Sequence, residues 1–457
     1  MTTIDRSRLT ALIARERAAY AAAHPQAQEL FGSAGHLFGR VPMTWMAKWS
    51  GGFPLYLDRA HGNRIVDVDG HEYVDFALGD TGAMAGHSPR ATVDAVTERM
   101  GRLGGLTTML PTADAEWVGA ELTRRFGLPL WSFTLTATDA NRWAIRLARL
   151  ATGRPKILTF AYCYHGSVDE AFAVPGPDGE AVARPGNVGA PGDLAMTTRV
   201  AEFNDLAGVE AQLAHGDVAA ILTEPALTNI GIVLPEPGFL EGLRELATRF
   251  GVLLMIDETH TISAGAGGAT RAWGLQPDIF IIGKSLGGGI PSGAYGISED
   301  LARRIQAHPE ADLVDVGGVG GTLAGNALSV AAMRATLEQV LTEEAFARMV
   351  DLATEFTRGV QETIDRTGVA WSVSQLGARS EYRFAAPAPR DGSSSAASSD
   401  DDLDEFLHLY LVNRGVLITP FHNMALMCPD TSRADVDLHT GLFAQAVDEL
   451  VGTGEVR

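Results

Sequence analysis

Lysine is rare in this chain, and one lysine lies where a reactive amine could be placed. Only three of the 36 basic residues are lysines, namely Lys48, Lys156 and Lys284. Lys284 follows closely on the apolar run 279–282, which Asp278 precedes. A lysine held just past a buried strand is partly desolvated, so it loses its proton more easily and becomes nucleophilic. Lys284 is therefore a candidate for Schiff-base chemistry.

Two further apolar runs would bring carboxylates to the same place as Lys284. The run 252–256 predicts a buried strand that delivers Asp257, and the separation of 284 − 257 = 27 residues accommodates one strand-helix-strand crossover. Such a crossover makes both strands parallel and brings both side chains to the carboxyl edge of one sheet, where open α/β sheets bind ligands. The run 219–222 would deliver Glu224 to that edge.

A carboxylate and a lysine placed in this way suggest pyridoxal phosphate. The lysine binds the cofactor aldehyde covalently, and a carboxylate against the pyridine nitrogen keeps that nitrogen protonated, so that the ring accepts electrons. A structural salt bridge at the end of a strand is the alternative reading of the same pair, and the residue types alone leave both open.

A helix that could hold the cofactor phosphate is predicted near residue 138. Thr138 or Asp139 can cap it, and Ala140, Ala144 and Ala148 repeat at helical spacing. Because the first N–H groups of a helix bind anions, this start is a suitable phosphate site. A capped surface helix with no ligand is the alternative.

The chain resembles the class III aminotransferases of the type I pyridoxal-phosphate fold. Within them it is most similar to the branch that includes glutamate-1-semialdehyde aminomutase and the β-amino-acid transaminases. Five motifs carry the resemblance in the order and spacing of the family, and they lie at residues 136–140, 164–166, 257–260, 283–285 and 321–326.

The resemblance implies an α/β protein with a mainly parallel central sheet in a large domain and a small α+β domain formed by both termini. Residues 1–84 would form the N-terminal arm and part of the small domain, 85–325 the large cofactor-binding domain, and 326–457 the rest of the small domain. It also implies a homodimer whose active sites are shared between the subunits.

The resemblance assigns roles around the cofactor ring. Lys284 would bind the cofactor covalently and then move a proton between the substrate carbon and the cofactor's C4′ carbon. Asp257 would pair with the pyridine nitrogen. Tyr164 would cover one face of the ring, and Thr259 would lie against the other.

It also assigns the phosphate contacts. The residues Ala137 and Thr138 would donate to the phosphate, although Ala137 stands where the family usually has glycine. Thr322 would reach the phosphate of the neighbouring subunit. Together with Thr136 and Asp139 these residues form the predicted cradle.

Two histidines and Glu224 complete the expected cofactor site. His260 falls where many family members have glutamine near the cofactor's phenolic oxygen, so it could donate to that oxygen and add pH dependence. A satisfied polar group without cofactor contact is the alternative for His260. We expect His165 to have a structural role beside the cofactor.

The substrate site is less well defined by the sequence. Recognition of a carboxylate calls for arginine, and the C-terminal stretch where many class III transaminases carry one contains none. Arg40, Arg379 and Arg383 remain candidates, although Glu381 could simply pair with Arg379. Trp45 and Phe421 would add aromatic walls, which favours an aryl or alkyl amine or a β-amino acid.

Composition excludes several other classes of protein. A net charge of −20 and a pI near 5.0 argue against nucleic-acid binding. Cys163 and Cys428 form no disulfide framework, and no metal-ligand spacing is present. No apolar run approaches the ~20 residues needed to span a bilayer, so we expect a cytoplasmic protein. The Ser/Ala/Asp-rich stretch 387–402 predicts mobile surface.

These observations predict a homodimeric aminotransferase that exchanges an amino group between an amine or amino acid donor and a keto acid by a ping-pong mechanism. An intramolecular aminomutase is the first alternative, because the same branch includes one. A decarboxylase or racemase of the same fold, and a pyridoxal-phosphate-binding protein without turnover, remain open as well.

Overall fold

The chain is described as a computed structural model over residues 2–190, 192–308 and 321–452. Backbone contacts divide it into two compact units. We call Met1–Ser88, Ala347–Ala388 and Ser398–Arg457 the terminal unit, and Pro89–Phe346 with Pro389–Ala397 the central unit. The domain boundaries drawn from the sequence stay a prediction.

The described residues form helices α1 (Arg6–Ala23), α2 (Pro25–Ser33), α3 (Arg90–Glu98), α4 (Ala113–Phe126), α5 (Ala137–Thr152), α6 (Leu206–Leu213), α7 (Phe239–Phe250), α8 (Gly268–Ala272), α9 (Glu299–Gln306), α10 (Ala327–Gln339), α11 (Glu343–Thr367), α12 (Gly392–Ala397), α13 (Asp401–Val412) and α14 (Arg433–Val451). Short 3₁₀ turns occur at Phe38–Arg40, Thr44–Ala47, Asp169–Ala171, Leu194–Met196, Thr261–Ala264, Lys284–Gly287 and Gly321–Leu323, and a π turn at Arg99–Leu103.

The strands are β1 (Leu57–His61), β2 (Arg64–Asp67), β3 (Glu72–Asp75), β4 (Leu130–Thr134), β5 (Lys156–Phe160), β6 (Ala173–Pro175), β7 (Ala181–Ala183), β8 (Thr198–Ala201), β9 (Val218–Thr223), β10 (Leu253–Asp257), β11 (Ile279–Ile282), β12 (Gly293–Ile297), β13 (Ser372–Leu376), β14 (Arg379–Arg383), β15 (Val416–Leu417) and β16 (Met424–Leu426).

The central unit is built on a seven-stranded sheet with the order β4-β12-β11-β10-β9-β5-β8. The strands from β11 to β8 are parallel, whereas β12 runs antiparallel to β11 and to β4. Every residue of β9, β10 and β11 is buried, as expected of strands that helices cover on both faces. The predicted α/β fold with a mainly parallel sheet is confirmed, and the antiparallel β12 is an addition that the sequence pattern did not indicate.

The crossover predicted between Asp257 and Lys284 is present. Strand β10 pairs in parallel with β11, with Asp257 opposite Ile281. The backbone N–H of Glu258 donates to the carbonyl of Ile281 at 2.8 Å, which extends the pairing one residue past the strand. The segments that follow the two strands, and with them Lys284, therefore leave the same sheet edge.

The terminal unit contains two small sheets. Its four-stranded sheet has the order β1-β2-β3-β15, and its three-stranded sheet the order β13-β14-β16. A small core of Tyr20, Phe53, Tyr73 and Leu409 lies between α1, α13 and the first sheet. Helix α1 packs against α13 and contributes Tyr20 to this core.

Two local predictions were wrong. Helix α5 begins at Ala137 and is capped by Thr136, whose hydroxyl accepts from the N–H of Asp139, so neither Thr138 nor Asp139 is its cap. Residues 392–397 of the stretch predicted to be mobile form α12, and a Cβ on Gly392 would lie 2.0 Å from the carbonyl oxygen of Ala161. No described helix is long and apolar enough to cross a membrane.

Candidate active site

Asp257 is a fully enclosed carboxylate at the end of β10. One of its oxygens, Oδ2, is 2.9 Å from Nδ1 of His165 and accepts from Nδ2 of Asn141 at 2.8 Å. The other, Oδ1, accepts from the N–H and the hydroxyl of Thr259 at 3.0 and 2.6 Å. Burial alone would raise the pKa of Asp257, but His165, Thr259 and Asn141 hold it below its ordinary value. Asp257 is thus a fixed negative charge.

His165 is the positive partner of this carboxylate. It is 1 % exposed, and its side chain points Nδ1 at Asp257. Burial alone lowers the pKa of His165, but Cys163 and Asp257 raise it to about 10. Asn141 adds a hydrogen bond to the backbone carbonyl of His165 at 3.3 Å, which ties the histidine to the first turns of α5. A structural role for His165 stays a prediction, and its contacts with Asp257 and Asn141 support it.

Lys284 lies at the end of the neighbouring strand and contacts a histidine. Its Nζ is 2.9 Å from Nε2 of His260. The backbone of Lys284 has a φ of 49°, in the left-handed region that residues with a side chain rarely adopt. His260 is 8 % exposed and precedes the 3₁₀ turn Thr261–Ala264. The structure therefore brings the predicted amine and His260 together.

The first turn of α5 lies against the segments that carry Lys284 and His165. A Cβ on Gly283 would lie 2.9 Å from the backbone nitrogen of Ala137, and one on Gly166 would lie 2.1 Å from the hydroxyl of Thr138. Only glycine permits both approaches. The N–H groups of Ala137 and Thr138 open the helix, where backbone donors have no partner inside the helix. The geometry supports the predicted anion site.

Glu224 lies in the same buried region. It is 2 % exposed, and its carboxylate accepts from the hydroxyl of Thr228 at 2.5 Å. Burial raises the pKa of Glu224 to about 7, although His165 and Thr228 partly offset the effect. This carboxyl group can therefore hold a proton near neutral pH.

Tyr164 and Thr322, the two remaining cofactor candidates, are less buried than Asp257 and Glu224. Tyr164 is half-buried, and its ring contacts Phe172 edge-on with a centroid separation of 6.4 Å. Thr322 is exposed in the 3₁₀ turn Gly321–Leu323. The ring-stacking role of Tyr164 and the contact of Thr322 with a neighbouring subunit stay predictions.

The predicted substrate residues belong to the terminal unit. Trp45 and Phe421 form an edge-to-face pair with ring centroids 4.5 Å apart, so the two predicted aromatic walls do meet. Arg40 is exposed, and its guanidinium lies 5.7 Å from the ring centre of Phe31.

Arg379 is buried in β14 rather than presented on a surface. It is 1 % exposed, and its Nη2 donates to the hydroxyl of Thr81. The charged partner recorded for Glu381 is Nδ1 of His422 at 3.3 Å, a contact that the sequence did not suggest. A substrate role for Arg379 or Arg40 stays a prediction.

Comparison with known proteins places this arrangement in a family. A family model described as aminotransferase class III matches residues 45–445. The chain belongs to the class III aminotransferases. It is therefore a pyridoxal-phosphate-dependent enzyme of the type I fold, as the sequence motifs predicted.

Two relatives of this class III chain carry the same name. It is 34 % identical over 374 residues to a glutamate-1-semialdehyde 2,1-aminomutase of Roseiflexus castenholzii, covering 81 % of this chain and 84 % of the relative. It is 48 % identical to a glutamate-1-semialdehyde-aminomutase of Pseudomonas aeruginosa PAO1, with a TM-score of 0.95 and coverage of 98 % and 99 %. A lysine-to-alanine variant of that aminomutase was solved in complex with PMP.

A transaminase is similar over most of its length as well. The β-phenylalanine aminotransferase of Variovorax paradoxus is 27 % identical, with a TM-score of 0.83 and coverage of 95 % of this chain and 96 % of that one. The class III fold is therefore shared by relatives that differ in the reaction for which they are named.

The residues of this class III site fit pyridoxal phosphate. Asp257 is a buried anion suited to a protonated ring nitrogen, and the amides of Ala137 and Thr138 suit the phosphate. Two polar atoms of the cluster, Oδ1 of Asn141 and Nε2 of His165, are buried without a hydrogen-bond partner among the described residues. Orphaned polar atoms of this kind are typical of a site that holds a ligand.

Asn141 was missed by the sequence reasoning as a site residue. It lies three positions before Ala144 and seven before Ala148, on the apolar face of α5. A polar side chain on the buried face of a helix needs a hydrogen-bond partner, so the position of Asn141 could have indicated a site residue. Its partner, Asp257, could not be named without the fold.

Proposed function

We propose that this chain moves an amino group within one small substrate, as an aminomutase of the glutamate-1-semialdehyde type. The observation that carries amino-group chemistry is the buried Asp257, held ionised by three neighbouring side chains at the sheet edge from which Lys284 also emerges. The intramolecular form is supported by the aminomutase relatives, one of them 48 % identical over almost the whole chain.

Each residue contributes a distinct step. Bound pyridoxal phosphate supplies an aldehyde that takes up the amino group and a ring that accepts the electrons released at the substrate carbon. Asp257 holds the positive charge at the pyridine nitrogen, and His165 with Asn141 keeps that carboxylate oriented. Lys284 would hold the cofactor, and its Nζ would take up and hand back the proton released at the substrate carbon.

A two-substrate transaminase is the second candidate. The edge-to-face pair of Trp45 and Phe421 in the terminal unit is an apolar surface that would suit an aryl group better than a small polar substrate such as glutamate-1-semialdehyde. The similarity to a β-phenylalanine aminotransferase points the same way. In this candidate an amine or β-amino acid is the donor, a keto acid is the acceptor, and a homodimer with Thr322 reaching across is the catalytic unit.

One experiment separates the two candidates. The purified enzyme is incubated with glutamate-1-semialdehyde alone, or with ¹⁵N-labelled β-phenylalanine and a keto acid, and the products are followed by NMR. Movement of the amino group from carbon 2 to carbon 1 without a second substrate supports the aminomutase. Transfer of ¹⁵N to the keto acid with no isomerisation supports the transaminase. Failure of both reactions in the cofactor-loaded enzyme contradicts both.

A further inference from the structure

Three side chains of the terminal unit, His24, Asp67 and His71, bring atoms that can bind a metal ion close together. Nε2 of His24 is 3.5 Å from Oδ2 of Asp67, and Nδ1 of His71 is 3.2 Å from the same oxygen. The three atoms all lie within 4.8 Å of one another. In a tetrahedral zinc site with bonds of about 2.0–2.1 Å, neighbouring ligand atoms are about 3.3 Å apart. The two distances to Asp67 match this spacing.

The backbone brings the three residues together from two places in the chain. His24 lies between α1 and α2, Asp67 ends β2, and His71 directly precedes β3. Strands β2 and β3 are antiparallel neighbours, so Asp67 and His71 lie on the two sides of one hairpin turn. No metal-ligand spacing is visible in the sequence because His24 comes 67 − 24 = 43 residues before Asp67.

His24 and Asp67 are held in position by bonds through their other polar atoms. His24 is 2 % exposed, and its Nδ1 lies 2.7 Å from the backbone carbonyl oxygen of Tyr20. A carbonyl only accepts, so Nδ1 carries the hydrogen and a neutral His24 has its lone pair on Nε2. Oδ1 of Asp67 accepts from the N–H of His71 at 2.8 Å, which directs Oδ2 towards the two rings. Metal ligands in proteins are typically oriented by outer bonds of this kind.

The contacts around Tyr73 leave a place for a cation beside His24. The Tyr73 oxygen is 2.7 Å from Nε2 of His24 and 2.8 Å from Oδ2 of Asp67. Burial raises the pKa of Tyr73, so its hydroxyl is neutral and has one hydrogen for these two contacts. When that hydrogen is donated to Asp67, the lone pair of His24 has no hydrogen to accept. A cation between Nε2 and Oδ2 would bind this lone pair while Tyr73 keeps its bond to Asp67.

The remaining surroundings suit a metal ion better than a proton. Burial lowers the pKa of His24, although the Tyr20 carbonyl and Asp67 partly offset the effect, so the neutral ring is favoured. Asp69, the nearest further carboxylate of the hairpin turn, accepts from the N–H groups of residues 26 and 27 at 2.8 and 3.1 Å and is directed to α2. The side chain of His71 is 43 % exposed, so an ion can enter from solvent and a water molecule can be its fourth ligand.

We propose that His24, Asp67 and His71 bind a divalent transition-metal ion of the zinc class. Two imidazole nitrogens and one carboxylate oxygen are ligands that Zn²⁺ prefers, whereas Mg²⁺ and Ca²⁺ prefer oxygen ligands. In the bound form His24 binds through Nε2 and His71 through Nδ1, with the hydrogen of His71 on Nε2. The ion ties the junction of α1 and α2 to the β2–β3 turn. The proposal does not depend on the proposed function, because none of these residues takes part in it.

Zinc binding by the full-length, cofactor-loaded protein tests the proposal. The enzyme is treated with EDTA, freed of chelator and titrated with Zn²⁺ in competition with a chromophoric chelator, and bound metal is counted by elemental mass spectrometry. His71→Gln removes the exposed ligand and leaves the buried contacts of His24 and Asp67 in place. His61→Gln, at an exposed position of β1 in the same unit, is the matched control.

We expect one ion to bind tightly to the native chain and to His61→Gln. In His71→Gln the affinity should fall by at least about tenfold, because the loss of an outer partner alone costs about 10–100-fold. Mg²⁺ at the same concentration should not compete. The proposal is overturned by the absence of tight binding to the native chain, by equal affinity in the native chain and His71→Gln, or by competition from Mg²⁺.

X-ray absorption at the zinc edge identifies the ligands directly. We expect nitrogen and oxygen neighbours at about 2.0–2.1 Å, with the scattering of two imidazoles in the native chain. Sulfur at about 2.3 Å would place the ion at a cysteine and contradict the proposal.

Thermal unfolding measures whether the ion stabilises the folded chain. Zn²⁺ at 100 times its Kd should raise the Tm of the native chain and of His61→Gln by about 3 °C. At the same zinc concentration His71→Gln should gain about half of that or less, since its affinity is lower. A Tm of the native chain that zinc leaves unchanged, or an equal rise in His71→Gln, would contradict a metal site that joins the α1–α2 junction to the hairpin.

Discussion

The buried carboxylates around Asp257 in the central unit and the buried ring of His439 in the terminal unit differ in how their polar atoms are satisfied. In the central unit, Asp257 and Glu258 each accept hydrogen bonds from three neighbouring residues. In the terminal unit, neither ring nitrogen of His439 has a hydrogen-bond partner among the described residues.

A buried polar group with fixed partners, such as Asp257, serves the reaction, whereas a buried polar group without them, such as His439, lowers the stability of the folded chain. Fixed donors around Asp257 hold its charge and orientation, so changes there should appear in turnover. An unpaired buried group such as His439 gains nothing from its polarity and carries the desolvation penalty alone. Changes there should appear in stability.

The largest effect is expected for Asp257→Asn. The amide keeps the shape but removes the negative charge, and with it the partner of His165. We expect kcat to fall by about 100-fold or more, measured in steady-state turnover with whichever substrate the enzyme accepts. Asp178→Asn, at an exposed position of the same unit, is the control and should leave kcat unchanged. Comparable activity in both variants would remove Asp257 from the mechanism.

A smaller loss of turnover is expected for Asn141→Ala. This change removes a hydrogen bond to an ionised carboxylate, worth about 1.5–3 kcal/mol, and frees the carbonyl of His165. We expect kcat to fall at least about tenfold if the loss affects the transition state, with little change in KM. A rise in KM alone would show that Asn141 serves binding rather than the charge at Asp257.

The terminal unit should respond to His439→Leu with a gain in stability. The ring of His439 lies among Phe76, Phe356 and Phe443, and burial lowers its pKa to about 3. Replacing two unpaired nitrogens with an apolar group should raise the free energy of unfolding by about 1–2 kcal/mol at pH 7, measured by urea denaturation.

The pH dependence gives this prediction a second part. Because the folded pKa of His439 lies below the ordinary value of about 6.5, its unfolded form binds a proton first as the pH falls. The titration of His439 therefore leaves the stability of the native chain unchanged above about pH 6.5 and lowers it progressively as the pH falls towards 3. The leucine variant lacks this loss, so it should be less acid-sensitive. His408→Leu is the control: its Nε2 lies 3.3 Å from Oδ1 of Asn423, and its loss should destabilise.

The smallest effect is expected for Asp217→Asn. Asp217 is paired with Arg199 at 2.6 Å and with Lys156 at 3.1 Å, but it is 27 % exposed. The Arg199 hydrogen bonds lower the pKa of Asp217 to about 2, so its contribution is present above about pH 4 and lost as the pH falls towards 2. We expect a loss of about 1 kcal/mol at pH 7 and none near pH 2. A loss of stability as large as that expected for a fully buried ion pair would contradict the view that partial exposure weakens the pairing of Asp217.

The sequence predicted the parts of this site that depend on chain order. Asp257 and Lys284 were placed by two apolar runs and the length between them, because a parallel crossover has few alternatives. Contacts between segments distant in the chain could not be predicted. The pairing of Glu381 with His422 and the bond from Asn141 to Asp257 depend on side-chain directions in the folded chain.

Local patterns also misled where tertiary contacts decided the outcome. The stretch 387–402 has a composition typical of mobile surface. Gly392 nevertheless packs against Ala161, and Arg390 pairs with Glu236 at 3.0 Å, so part of the stretch is anchored as α12. Thr136, and not the predicted Thr138 or Asp139, caps α5, because Ala137 already lies in the helix.

The central claim is that Lys284 is the amine that binds pyridoxal phosphate. The loaded protein is reduced with borohydride, digested and analysed by mass spectrometry, and the cofactor mass can appear at Lys48, Lys156 or Lys284. We expect the label on the peptide that contains Lys284 and no label in Lys284→Ala. A label on Lys48 or Lys156, or an undiminished label in Lys284→Ala, would contradict the account.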